Sequence, residues 1–239
     1  MSTFVLVHGA WHGGWCWAAL ERVLRDMGHD THAPTLTGLG ERSHLTTPDI
    51  DADTHVTDIC NTIKWRELSD IVLVGHSYGG MVVTGVAGQM PERIRSMVYL
   101  DAMVPEESGV SLFSKANPER MAAFEKELEG GGFTLKPDLF DAWSDDPETI
   151  EWLKSKCTPH PVGCFRNGVT LTGRETEIAH KLYILAERNK PSAFWAEHEK
   201  VRGRGGWQTT KLPTKHDAMV EAPEVLARLL VDFDQRTRA

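Results

Sequence analysis

The sequence predicts an α/β protein: a mainly parallel six-stranded sheet with helices on both faces and an inserted, mainly helical lid. Three observations carry this. Short β-rich runs alternate with helix-period stretches, the pattern of parallel strands joined by crossover helices. Two of the runs, Phe4–Val7 and Ile71–Val74, are apolar throughout, as strands covered on both faces are. The stretch 102–180, lying between two strand candidates, is too long for a plain crossover.

Strands are expected at Phe4–Val7, Thr31–Ala33, Ile71–Val74, Ser96–Leu100, Lys181–Leu185 and Gln208–Leu212. The first helix, Trp17–Met27, puts Leu20, Val23, Leu24 and Met27 on one stripe, with Gly28 as its stop. In His55–Ile63, Val56, Ile59, Cys60 and Ile63 recur at helical spacing, with Asp53 or Thr54 as the cap. Gly79–Met90 is small and apolar, suited to close packing beneath a sheet, and Pro223–Phe233 repeats the amphipathic pattern. Within the long stretch stand a helix Pro118–Glu129, the break Gly130-Gly131-Gly132 and a helix Pro147–Lys156. The expected organisation is therefore a core of 1–101 and 181–239, with 102–180 as a lid over the C-terminal edge of the sheet. The acidic run Asp138, Asp141, Asp145, Asp146, Glu148 and Glu151 reads as the lid's solvated face.

With 239 residues, 41% hydrophobic and 25% charged, the chain is an ordinary globular protein of one domain with a modest insertion. Its 26 Lys plus Arg against 34 Asp plus Glu give a net charge of −8, too acidic for a nucleic-acid partner. The basic cluster Lys200, Arg202, Arg204, Lys211 and Lys215 reads as a solvated face. No apolar run approaches the ~18 to 20 residues a membrane span needs, so no membrane partner is expected. Phe4–Val7 leads straight into His8-Gly9 with no charged leader, and a cytoplasmic protein is expected. Cys16, Cys60, Cys157 and Cys164 lack zinc spacing, so no metal is expected; a Cys157–Cys164 bridge is disfavoured in a reducing compartment.

The strongest chemical signal is Gly75-His76-Ser77-Tyr78-Gly79, a G-x-S-x-G between a buried strand and a small-residue helix. The turn is tight, so the residues two before and two after the serine must be small. It lifts the Ser77 hydroxyl clear of the sheet at a helix N-terminus, with the Tyr78 N–H aimed at any oxyanion that forms. The second donor belongs on the loop after the first strand, His8-Gly9-Ala10-Trp11, and Ala10 is the candidate; His8 reads as structural. A serine nucleophile needs a base, and on this topology the base follows the last strand. His216 is the histidine that stands there, before the final helix. The acid is either Asp101, at the end of strand Ser96–Leu100, or Glu187, after strand Lys181–Leu185. Trp11, Trp15, Tyr78, Met103, Phe113 and Trp195 are candidates for an apolar pocket around an aromatic or medium-length acyl group, each equally suited to the core.

At these residues the chain resembles an α/β-hydrolase, and more narrowly the bacterial relatives of the plant methyl-esterase and hydroxynitrile-lyase family. The resemblance rests on Phe4–Ala10 followed by Gly13-Gly14-Trp15, on Gly75–Gly80, and on His216-Asp217-Ala218-Met219. Pro34–Arg42 and Tyr99-Leu100-Asp101-Ala102 look like the bacterial subgroup. It implies a cofactor-free hydrolase acting on a small-molecule ester. Two departures matter. Plant-type enzymes carry an Asp near Asn189, which moves the inference to Asp101. The lyase branch has Thr where Gly9 stands, which favours hydrolysis even though Lys190 is present. An amide, lactone or carbon–carbon substrate, and a ligand-binding protein on the same scaffold, stay open, as does a homodimer.

Overall fold

The computed structural model describes residues 1–190 and 192–238. The chain runs β1 (Thr3–Val7), α1 (Ala18–Asp26), β2 (Asp30–His32), α2 (Ala52–Trp65), β3 (Ile71–His76), α3 (Gly79–Gln89) and β4 (Ile94–Leu100). An insertion follows, with α4 (Pro118–Glu127), β5 (Thr134–Leu135), α5 (Phe140–Trp143), α6 (Pro147–Lys156), β6 (His160–Pro161) and α7 (Gly163–Arg166). The chain then returns through β7 (His180–Ala186), α8 (Phe194–Val201), β8 (Trp207–Leu212), α9 (Ala218–Glu221) and α10 (Pro223–Arg238). Six strands form one sheet in the order β2-β1-β3-β4-β7-β8, every neighbouring pair parallel. This is the α/β-hydrolase architecture that the sequence predicts.

Period-two alternation sorts the strand residues between two cores. Val5, Val7, Leu73, Met97, Tyr99, Tyr183 and Leu185 face α2, α3 and the insertion. Phe4, Leu6, Val72, Val74, Val98, Leu100, Leu182 and Ile184 face α1 and α10. Because both faces are covered, β3 is buried along its whole length, which is why it reads as an unbroken apolar run.

Three local expectations are corrected. Helix α2 begins earlier than its apolar stripe, because Asp51 is its cap: the Asp51 carboxylate accepts from Thr54 N at 2.9 Å while Thr54 Oγ1 accepts from Asp51 N. The insertion contains an antiparallel pair, β5 with β6, too short to show a period in the sequence. Helix α10 runs five residues past Phe233, to Arg238. All four cysteines are free. The acidic run of the insertion is exposed. The basic cluster is paired rather than open: Lys200 with Glu197, Arg202 with Glu199, Arg204 with Glu106, Lys211 with Glu187 and Lys215 with Asp145. Among the described residues, no helix is long and apolar enough to cross a membrane.

Candidate active site

Ser77 sits on the turn between β3 and α3 at φ 55°, a left-handed conformation rare for a residue with a Cβ. The turn closes only because its flanks are glycine. A Cβ on Gly75 would stand 2.6 Å from Gly79 O, and one on Gly79 would stand 2.7 Å from Val7 O. The backbone is pinned to the next strand end, with Ser77 N donating to Leu100 O at 3.2 Å and Met103 N to Ser77 O at 3.1 Å. Strain of this kind persists only where the surroundings over-determine it.

Ser77 and His216 line one cavity of about 380 Å³ above the C-terminal edge of the sheet. His216 lies between β8 and α9, its ring stacked on Phe194 at 4.9 Å. Its Nδ1 is 2.7 Å from Asp101 Oδ2, and its Nε2 has no hydrogen-bond partner among the described residues. Asp101 follows β4 directly, at φ 42°, and is fully buried. A buried carboxylate must be paired, and three donors meet this one: Ala186 N on Oδ1 at 3.1 Å, then Asn189 Nδ2 and His216 Nδ1 on Oδ2, each at 2.7 Å. Glu187 points elsewhere: its exposed carboxylate has Lys211 Nζ at 4.0 Å.

Among the described residues, neither the Ala10 nor the Tyr78 backbone N–H donates to a protein acceptor, and both residues line the cavity. The neighbouring Trp11 N–H is engaged by His160 Nδ1 at 3.1 Å. Gly9 packs directly on the serine, since a Cβ there would lie 2.9 Å from Ser77 Cβ. His8 is spent on structure. Its Nδ1–H donates to Gly9 O at 2.8 Å, its Nε2 accepts from Leu36 N at 3.1 Å, and burial lowers its pKa to about 3.

The cavity wall is aromatic, with Trp11, Tyr78, Phe124, Trp143, Phe165 and Phe194, and with Met103 beside them. Trp15, Phe113 and Trp195 lie one layer behind it. Trp15 stacks on His12 at 5.3 Å and meets Trp152 edge-on. Phe113 stacks on Phe124 and Phe165 from outside. Trp195 donates its indole N–H to Asn189 O at 3.2 Å, with Lys190 and Lys211 over its ring. Phe194 takes the position expected of Trp195, because adjacent residues on a helix face about 100° apart. Phe124, Trp143 and Phe165 come from the insertion and carry no signal in the sequence beyond being aromatic. His12, also against the cavity, carries no signal in the sequence, and Asn189 figures there only as the place where plant-type enzymes carry an Asp, not as a donor to Asp101.

One buried group, His55, His160 and Cys164, has its donor atoms within 4.8 Å of one another. It fits a metal ion poorly. His55 Nδ1 accepts from Tyr78 Oη at 2.9 Å while its Nε2–H serves Thr37 O. His160 uses its Nδ1 lone pair on Trp11 N, so a neutral ring keeps its proton on Nε2. Burial pushes the Cys164 thiol up, towards the protonated form that does not ligate.

Residues 4–229 match the alpha/beta hydrolase family. The chain belongs to that family. This alpha/beta hydrolase is 40% identical over 244 residues to a carbendazim hydrolyzing esterase of Nocardioides sp. (strain SG-4G), covering 96% of this chain and 98% of the relative. It is 32% identical over 114 residues to methylesterase 2 of Arabidopsis thaliana, covering 43% of this chain and 40% of the relative. An extracellular alpha/beta-hydrolase from a Paenibacillus species has the same fold, with a TM-score of 0.82 at 23% identity over 97% of this chain and 98% of that one. The narrower resemblance read from the motifs, to the plant methylesterase and hydroxynitrile-lyase relatives, stands as well.

Proposed function

We propose that the protein is a serine hydrolase cleaving a carboxylic ester of a small or medium aromatic substrate through an acyl-enzyme on Ser77. One observation carries the reading. The buried Asp101 carboxylate holds His216 through Nδ1 at 2.7 Å, and Nε2 has no hydrogen-bond partner among the described residues, on a ring that lines the same cavity as Ser77. In this reading His216 Nε2 takes the Ser77 proton as Oγ attacks the acyl carbon, and Asp101 stabilises the imidazolium that forms. The oxyanion is received by the N–H groups of Tyr78 and Ala10, which have no protein acceptor among the described residues. His216 then protonates the leaving alkoxide, and water repeats the two steps to release the acid.

The aromatic wall suits a planar, apolar substrate body. A Cβ-free position 9 supports hydrolysis over cyanohydrin cleavage, because a threonine there would meet Ser77 and His76. A second reading, a carbamate in place of the ester, is favoured by the carbendazim hydrolyzing esterase among the relatives. The same acyl transfer serves both.

The test is turnover of p-nitrophenyl acetate and butyrate, with matched aryl carbamate and anilide substrates, by wild type and Ser77→Ala. Ester turnover that Ser77→Ala abolishes is the expected result. Turnover of the carbamate alone would move the substrate class to the second reading. No turnover of any substrate by wild type would leave a binding protein on a hydrolase scaffold.

A further inference from the structure

A second buried histidine–carboxylate pair lies beside the first. His12 is 1% exposed and Asp217 is 1% exposed, and neither takes part in the acyl transfer above. His12 Nδ1 is 2.7 Å from Ala10 O, and its Nε2 is 3.0 Å from Asp217 Oδ2. Both partners are acceptor oxygens. A neutral imidazole has one N–H, so it would oppose a lone pair to one of them; only the imidazolium donates to both. Burial works against that charge, but the Asp217 carboxylate and the bond to Ala10 O outweigh it and raise the His12 pKa.

The surroundings allow one cation here. His8 on the loop after β1, His76 at the end of β3 and His160 in β6 are all held neutral by burial. The Cys16 and Cys157 thiols, near the Asp217 charge, are pushed further towards the protonated form. Asp217 Oδ1, with His76 Nε2 at 3.8 Å, has no hydrogen-bond partner among the described residues.

We propose that His12 is a positioning residue: as an imidazolium paired with Asp217, it clamps the loop that presents the Ala10 N–H to the loop that carries His216. The inference rests on the serine-hydrolase reading for its effect on rate, not for the clamp itself. The clamp joins what the reaction needs to keep in register. Ala10 lies next to Gly9, which packs on Ser77, and Asp217 is the residue after His216. On the far side, His76, the residue before Ser77, donates Nε2–H to the His216 carbonyl at 3.1 Å. When His12 loses its proton, one end of the clamp faces lone pair against lone pair and opens. An N–H placed for the oxyanion acts mainly in the transition state, so the loss falls on kcat and spares KM.

The experiment compares wild type, His12→Ala and Asp217→Asn in two measurements. In Asp217→Asn the new amide N–H donates to a neutral His12 Nε2, while Nδ1–H still serves Ala10 O, so the clamp closes without charge. Ring-nitrogen NMR, assigned against His12→Ala, is expected to show both His12 nitrogens protonated at pH 7 in wild type, and Nε2 bare in Asp217→Asn. For ester turnover, kcat of wild type is expected to fall on the alkaline side, Asp217→Asn to lack that limb, and His12→Ala to lose about a hundredfold in kcat with little change in KM. A singly protonated His12 in wild type overturns the inference whatever the protein hydrolyses. So does His12→Ala with kcat within twofold of wild type. If wild type turns over no ester, the functional reading fails, and the NMR result still decides the clamp.

Discussion

Asn189 and His216 converge on one oxygen of Asp101: Nδ2 of the first and Nδ1 of the second each lie 2.7 Å from Oδ2. Asn189 stands after β7, where plant-type relatives carry an acid, and it supplies a donor to Asp101, the proposed acid, which follows β4 instead. Asn189 Nδ2 is itself 3.3 Å from His216 Nδ1, so a carboxylate at 189 would reach the imidazole. The double variant Asp101→Asn/Asn189→Asp is expected to recover at least about tenfold of the kcat lost in Asp101→Asn alone, because the pair then has its carboxylate and its donor exchanged. Steady-state kinetics of the three proteins checks this, and a double variant no faster than Asp101→Asn would show that position 189 cannot orient the base.

Asp101→Asn on its own is expected to lower kcat about 10³- to 10⁴-fold, through loss of imidazole orientation. Glu187→Gln is expected to stay within about twofold of wild type and within about 0.5 kcal/mol in stability, since its carboxylate lies on the surface opposite a lysine. The reverse ranking would return the acid to Glu187.

Asn189→Ala removes a hydrogen bond to a buried carboxylate and is expected to cost about 1.5 to 3 kcal/mol. Urea unfolding followed by tryptophan fluorescence measures it.

Acid is expected to unfold the protein earlier than its carboxylates alone would dictate. Burial holds His8 at about pKa 3, His76 and His160 well below the usual range, and His55 below it. In the unfolded chain each of these titrates near 6.5. As pH falls below that value the unfolded state gains protons that the native state refuses, so stability drops. Each such histidine contributes about 1.4 kcal/mol per pH unit until its native pKa is reached, which for His8 is about 3. Urea midpoints at successive pH values from 7 to 4.5 read the slope, and a flat profile would contradict the neutral assignments.

Gly9→Ala places a methyl 2.9 Å from both Ser77 Cβ and His76 Nδ1. Overpacking of this order costs about 1 to 3 kcal/mol. Since Ser77 is one of the two groups that must give, kcat is expected to fall by at least about tenfold. Thermal melts and ester kinetics together separate the two effects.

What could be read in advance divides by range. Val72 to Val74 announce a doubly covered strand because both sheet faces bury whatever β3 carries, and Gly75 and Gly79 announce the turn because no Cβ fits there. Ser77, His216 and the two acid candidates, Asp101 and Glu187, stand at strand ends in the sequence, where topology brings distant residues to one edge, and it is Asp101 that lies against His216. The cavity wall was not legible in the same way. Whether Phe194 or Trp195 turns inward depends on how α8 packs, and Phe124, Trp143 and Phe165 reach the cavity only through the path of the insertion. The bonds of His12 to Asp217 and of Asn189 to Asp101 were not legible, because each joins residues far apart in sequence.

The loop carrying His216 hangs from the insertion as well as from the sheet. His216 N donates to Ala142 O at 3.4 Å, and Asp217 N donates to Trp143 O at 3.3 Å, both at the end of α5. An engineer replacing the segment over the cavity to change selectivity would therefore also be moving the imidazole proposed as the general base. Grafts that keep residues 139–144 and exchange the rest are the ones in which a new pocket inherits a working imidazole. The amides of His216 and Asp217 also become natural reporters for deuterium exchange, because any excursion that lifts α5 must expose them.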